Sequence, residues 1–146
     1  MNLLTASSID IAYADAPIVH GVTLELVPGK TIALAGPNGA GKTTILKALN
    51  GGLPVVAGAV ELDGKPLGEY SRREIARRIA VIAQENETRF PVTVIEFVLA
   101  GRFAHGASLG WETEADHWIA RTALGLCDLE DYAERLMNQL SGGEQQ

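Results

Sequence analysis

Gly36-Pro37-Asn38-Gly39-Ala40-Gly41-Lys42-Thr43-Thr44 decides the fold class, because each residue type has a physical reason to stand at its offset. Glycines at Gly36, Gly39 and Gly41 let successive backbone N–H groups turn inward around an anion, in conformations that a side chain would block. The apolar run Thr31-Ile32-Ala33-Leu34-Ala35 is expected to enter this loop as a buried strand, and Lys42 to Leu49 leaves it with helical spacing. A helix so placed points its positive end at the anion. Lys42 adds a point charge between the outer two phosphates, the Thr43 hydroxyl is suited to ligate Mg²⁺, and Thr44 faces the innermost phosphate. A glycine-rich turn that binds nothing has no reason to carry Lys and Thr at these offsets. The expected ligand is therefore a nucleotide polyphosphate with Mg²⁺.

A phosphate loop serves kinases, GTPases, helicases and transport ATPases alike, so the subclass must come from elsewhere. Leu140-Ser141-Gly142-Gly143-Glu144-Gln145, roughly a hundred residues beyond Lys42, resembles the signature sequence of ATP-binding cassette (ABC) ATPases. The resemblance covers the whole chain. It implies that Tyr13 stacks on adenine, that Gly36 to Thr44 hold the phosphates of ATP, and that Gln84 is the Q-loop glutamine meeting Mg²⁺ and the attacking water. It also implies that Ser141, Gly142 and Gly143 grip the outermost phosphate of ATP held by a second ABC ATPase subunit. Two chains would then face head to tail.

Plainer structural readings stand beside these roles. A tyrosine near a strand end is more often a half-buried surface residue. Gln84 could merely cap the apolar run Ile79-Ala80-Val81-Ile82-Ala83, although α/β folds place ligand contacts at the carboxyl ends of parallel strands. Ser141 to Glu144 also reads as a helix capping box, like Ser71 to Glu74 and Thr93 to Glu96. A helix opening at Gly142 has little more than one turn by Gln146, too little to persist alone.

The expected fold is α/β: an incomplete P-loop NTPase core with an antiparallel β portion and a helical ABC subdomain. Residues 1–84 form the N-terminal part of the nucleotide-binding core, with the phosphate loop at 36–44 and the Q-loop at 84; residues 85–139 form the helical subdomain, and 140–146 the signature. Leu3 to Ile11 and Val22 to Leu26 read as strands joined through a turn at Asp15-Ala16-Pro17, and Asp63-Gly64 reads as a hairpin tip. Thr93 caps a helix running toward Gly101, with Val92 and Phe97 spaced for a hydrophobic staple, and a further helix spans about 112–126.

The family continues from its signature into an apolar strand ending in Asp-Glu, followed by a switch histidine. Neither is in these residues, so Walker B is missing and the catalytic set is partial, limited to Lys42 and Gln84. Glu85 directly follows the Q-loop position and Asp63 belongs to a turn, so neither substitutes for the base. His20, His105 and His117 all precede the signature and read as structural residues in surface or partly buried positions. The expectation is a fragment that binds ATP without efficient hydrolysis and that is marginally stable.

Stretches Ala100-Gly101-Arg102-Phe103-Ala104-His105 and Arg77-Arg78-Ile79-Ala80 resemble importers of iron-siderophore, haem or cobalamin, except that Ala104 stands where a proline commonly precedes the histidine. That resemblance implies a transmembrane permease as partner, with residues around Gln84 to Phe90 lining its docking groove. It places the chain peripherally on the cytoplasmic face of the cell membrane. A net charge of -6 argues against a nucleic-acid partner, and Arg72, Arg73, Arg77 and Arg78 read as a solvated helix face. The single cysteine, Cys127, excludes an internal disulfide and reads as a helix core residue. No signal peptide or eighteen-residue apolar stretch is present. A soluble, non-transport ABC protein, or a nucleotide-binding module without turnover, remains the alternative.

Overall fold

The computed structural model describes residues 3–13, 16–82, 91–106 and 112–145. They fall into two compact units, Met1–Ile79 and Ala80–Gln146.

The first unit is built on an antiparallel sheet. Strands β1 (Leu4–Tyr13), β2 (Ala16–Leu26), β3 (Ala57–Leu62) and β4 (Lys65–Pro66) lie in the order β2-β1-β3-β4. Central β1 supplies Ala6, Ile9 and Ile11 to the core, all fully buried. Strict alternation would send Ala6 and Ile9 to opposite faces. A register shift between them, with Ser8 at φ 47°, inserts the extra residue that turns Ile9 and Ile11 inward. Burying each isoleucine contributes about 1.5–3 kcal/mol, so the bulge is central to this core. Gly58 on β3 lies against the bulge: at φ +77° it sits so close to the Ser7 and Ser8 carbonyl oxygens that a Cβ would collide with both.

Helix α1 (Lys42–Leu49) lays Ile45, Ala48 and Leu49, its i, i+3, i+4 face, against this sheet. It closes at Asn50 and Gly51, whose amides bond back to the Leu46 and Ala48 carbonyls. The hairpin tip forms as the Asp63-Gly64 sequence suggests, with both residues at positive φ and Leu62 opposite Lys65. Tyr70 anchors the following turn, donating its hydroxyl to the Leu62 carbonyl at 2.9 Å while Lys65 and Arg78 lie over its ring at 4.8 and 5.3 Å. Short helix α2 (Arg72–Ala76) opens with the full Ser71–Glu74 capping box. Arg72 and Arg73 of α2, Arg77 at its C-cap and Arg78 beyond it are exposed as expected, with Arg72 bonded to the Gly51 carbonyl and Arg78 3.6 Å from Asp63.

The second unit packs α3 (Val94–Ala100) and α4 (Glu114–Leu126) with turns at Glu130–Tyr132 and Met137–Gln139 around Val94, Ile95, Leu99, Ala120, Leu124, Ala133, Met137 and Leu140. The first amides of α3 find carbonyls outside the helix, Val94 at Arg135 and Ile95 at Ala133, both at 2.9 Å. Thr93 and Glu96 form the expected capping box, and Thr113 with Asp116 forms another at the head of α4. Arg102 Nε reaches the nearly buried Asp116 carboxylate at 3.1 Å, fastening the chain beyond α3 to the start of α4. Val92 packs against this core, whereas Phe97 is 38 % exposed.

Four local expectations are corrected. Thr31 to Ala35 is not a buried strand: it has no ladder, and Ile32 is 42 % exposed. Ile79 to Ile82 likewise forms no strand, and Val81 and Ile82 are 66 % and 80 % exposed. The cause is shared, because a buried parallel strand requires hydrogen-bonded neighbours and none pairs with either segment among the described residues. Ala16 and Pro17 belong to β2 rather than to a turn, opposite Tyr13 and Ala12; β2 is an edge strand, where a missing amide is tolerated. Cys127 is exposed, because α4 ends at Leu126 and the cysteine occupies its C-terminal cap.

Candidate functional site

The phosphate loop joins the Thr31–Ala35 segment, which forms no ladder, to α1. Ala40 N–H donates to the Pro37 carbonyl at 3.3 Å, closing a turn, and Gly39 and Gly41 adopt φ of 83° and 85°. Gly41 is the N-cap of α1 and has no side chain to satisfy the helix. The first helical bond is Ile45 N–H to the Gly41 carbonyl, at 2.9 Å. The amides of Lys42, Thr43 and Thr44 therefore precede any intrahelical acceptor, and no acidic residue lies in the first turn to offset the helix dipole. This end of α1 is suited to an anion.

Lys42 adds the charge. Its ammonium donates to the Gly36 carbonyl at 2.8 Å and the Pro37 carbonyl at 2.7 Å. Two of its three protons are thus held by the mouth of the loop, and the third remains for a ligand oxygen. Thr43 is exposed at the same helix end, and its hydroxyl is a hard oxygen donor of the kind Mg²⁺ takes alongside phosphate oxygens and water. The donor set fits a Mg²⁺-bound polyphosphate: amides, one ammonium and one hydroxyl.

Tyr13 ends β1 and is 43 % exposed, opposite Ala16 of β2. Three residues further along β2, Val19 meets the loop, since a Cβ placed on Gly41 would lie 2.7 Å from Val19 Cγ2. The two points are about 10 Å apart along an extended strand, which suits a ligand with an aromatic base at one end and phosphates at the other. The contact of β2 with Gly41 was not legible in the sequence; the only signal was that Gly41 must lack a side chain.

Ser141, Gly142 and Gly143 lie in the second unit, all exposed. The expected helix is here a single turn, closed by Gln145 N–H to the Ser141 carbonyl at 3.0 Å and pinned by Gln145 Nε2 to the Met137 and Leu140 carbonyls. Ser141 N–H donates to Glu144 at 2.7 Å, so the serine amide is already engaged. Hydrogen bonds from the Ser141 side chain and backbone hold the Glu144 carboxyl below its ordinary range, with Arg135 adding to the effect. Gly142 and Gly143 have open space around their α-carbons. Gln84, and the Gln84 to Phe90 segment read as a docking groove, lie outside the described residues.

The phosphate loop, Tyr13 and β2 thus belong to one unit, while the signature belongs to the other. Among the described residues no group of three or more His, Cys, Asp or Glu could hold a metal ion, and no helix is long and apolar enough to cross a membrane.

Comparison with known proteins gives concordant results. The ABC transporter family profile matches residues 19–146. The chain is 38 % identical over 146 residues to the iron(3+)-hydroxamate import ATP-binding protein FhuC of Bacillus subtilis, covering all of this chain and 54 % of that protein. It is 42 % identical over 144 residues to the hemin import ATP-binding protein HmuV of Gloeobacter violaceus, covering 99 % of this chain and 52 % of that protein. The chain spans about half the length of these relatives. Among solved structures, an ABC transporter described as of metal-chelate type, in an inward-facing conformation, superposes with a TM-score of 0.81 at 26 % identity, over 99 % of this chain and 53 % of that one. A nucleotide-free ATP-binding cassette superposes with a TM-score of 0.86 at 23 % identity, over 99 % and 61 %, which bears on the fold alone.

Proposed function

The chain belongs to the ABC transporter family, and on that premise we propose that it is the ATP-binding part of an importer subunit that takes up an iron chelate, haem or a cobalamin-like compound. ABC ATPases bind ATP, normally with Mg²⁺, and the family couples its hydrolysis to transport. The observation that carries the reading is Lys42, held by the Gly36 and Pro37 carbonyls at the open N-terminus of α1. In this reading Gly36 to Thr44 bind the triphosphate, Thr43 and Gln84 meet Mg²⁺, and Tyr13 stacks on the base. Ser141, Gly142 and Gly143 meet the ATP of a second subunit, with the glycine amides leading the contact, because Glu144 already accepts from both the amide and the side chain of Ser141.

The importer assignment draws on the relatives named for hydroxamate and hemin import. It makes a transmembrane permease the partner and the cytoplasmic membrane face the place of action. Residues 1–84 would serve as the N-terminal nucleotide-binding part, 85–139 as the helical subdomain and 140–146 as the signature.

We further propose that the 146-residue polypeptide binds Mg-ATP with little turnover. Its sequence holds the phosphate loop and signature without a following Asp-Glu pair, and Asp63 is engaged in a turn beside Arg78. Lack of a positioned base costs about a hundredfold to ten-thousandfold in rate. The test is a titration with Mg-ATP, Mg-ADP and Mg-pyrophosphate, with phosphate release followed in parallel. Saturable ATP binding with release at background is expected. Absence of binding to all three would sink the nucleotide reading, and Lys42-dependent phosphate release would sink the proposal of little turnover.

A further inference from the structure

We propose that Val19 is a positioning residue for the phosphate loop, its γ-methyl group occupying the place of the side chain that Gly41 lacks. The inference rests on the nucleotide reading and adds a residue that no sequence motif includes. Gly41 carries two demands at once. Its φ of +85° disfavours a side chain, and a Cβ built there would lie 2.7 Å from Val19 Cγ2 and 3.5 Å from Ile18 Cγ2. Space beside the glycine is therefore already filled, from β2.

Val19 cannot drift from this place. It is 5 % exposed, stands opposite Ile11 in the β1–β2 register, and shares the core with Ile9, Ile11 and Ile45. Ile45 is also the residue whose amide closes the first helical bond onto the Gly41 carbonyl. Sheet, loop and helix start are thereby joined through one side chain. With no capping side chain on Gly41, the direction of the Lys42, Thr43 and Thr44 amides depends on the glycine's backbone and on what backs it. A valine whose Cγ2 stands 2.7 Å from where a Gly41 Cβ would lie supplies that backing, and truncating it leaves the loop free to relax toward β2.

The experiment compares the parent chain with Val19→Ala, Val19→Ile and, as a truncation of a partly buried residue on the same strand, Leu24→Ala. Two readouts are taken: amide exchange at Ile45 relative to Leu49 without nucleotide, and the Kd for Mg-ATP. General loss of stability moves Ile45 and Leu49 together, whereas loosening at Gly41 moves Ile45 alone. Val19→Ala is expected to speed Ile45 exchange about tenfold relative to Leu49 and to raise the Kd about fivefold to tenfold, roughly 1 kcal/mol. Val19→Ile keeps a γ-carbon at the contact, its Cγ1 methylene taking the place of the valine Cγ2, and should match the parent, and Leu24→Ala should leave the exchange ratio and the Kd unchanged. Equal Ile45-to-Leu49 ratios in Val19→Ala and Leu24→Ala would overturn the proposal. Failure of the parent to bind Mg-ATP would instead remove the nucleotide reading, with the exchange comparison still deciding whether Val19 holds the loop.

Discussion

Lys42 Nζ donates to the Pro37 carbonyl oxygen at 2.7 Å, so the lysine that follows the loop reaches back across five residues to its entrance. With the Gly36 carbonyl at 2.8 Å, this fixes a compact ammonium by two backbone acceptors. A guanidinium is planar and longer, and cannot reproduce that pair of contacts while still presenting a donor to a phosphate. Lys42→Arg should therefore weaken Mg-ATP binding about tenfold or more, despite conserving the charge, with little change in thermal midpoint. Equal affinity in a titration would show that only the charge matters.

The Arg102–Asp116 pair predicts an asymmetry in the helical unit. Asp116 accepts from Arg102 Nε and also from the Thr113 amide and hydroxyl, so it serves both an ion pair and a helix cap. Asp116→Ala should lower the melting temperature of this unit more than Arg102→Ala, because it removes both functions and leaves the arginine without this partner. Melts of the two variants by circular dichroism test the order, and a reversed order would refute the dual role.

Acid should loosen the caps before it affects the apolar cores. Glu74 and Glu96 are held below their ordinary value of 4.5 by backbone and side-chain hydrogen bonds from Ser71 and Thr93. Glu144 is held below 4.5 and Asp116 below 3.8 by their bonds from Ser141 and Thr113, with Arg102 assisting the latter. The folded-state values lie below the unfolded ones, so the stabilisation is fully present above the unfolded values and is lost as pH falls through the depressed folded values. Stability should decline below about pH 4.5. Glu74→Gln with Glu96→Gln keeps a capping partner at N3 while removing the titration, and should flatten the pH dependence of urea midpoints.

Gly58→Ala should cost about 1–3 kcal/mol, because it imposes a left-handed φ on a side-chain-bearing residue and drives a methyl into the Ser7 and Ser8 carbonyls. Gly64→Ala has a positive φ as well but open space around it, and should cost less. Urea denaturation of the two variants tests the difference.

Local chemistry was legible in the sequence wherever a few adjacent residues determine it. The capping boxes at Ser71 and Thr93, the Asp63-Gly64 hairpin tip and the amphipathic α1 each form from short-range bonds or spacing. Thr31 to Ala35 and Ile79 to Ile82 depart from the expected strands because apolar character shows what a segment would bury, whereas a strand also needs partners for its ladder. Pro17 suggested a turn because proline lacks an amide, yet an edge position needs none. The bulge at Ser8 and the Val19–Gly41 contact depend on which strand lies beside which, and a single sequence does not display that. At the site, Lys42 and the glycines stand out by spacing, and the engagement of the Ser141 amide by Glu144 is the bond that the Ser141–Glu144 capping box anticipates.

The central claim is that the Gly36–Thr44 loop binds Mg-ATP through Lys42, and calorimetric titration of the parent chain and Lys42→Ala tests it most directly. Saturable binding by the parent is expected, with loss of about 2–5 kcal/mol of affinity in the variant and unchanged far-ultraviolet circular dichroism. Binding of equal affinity by the folded variant would contradict it.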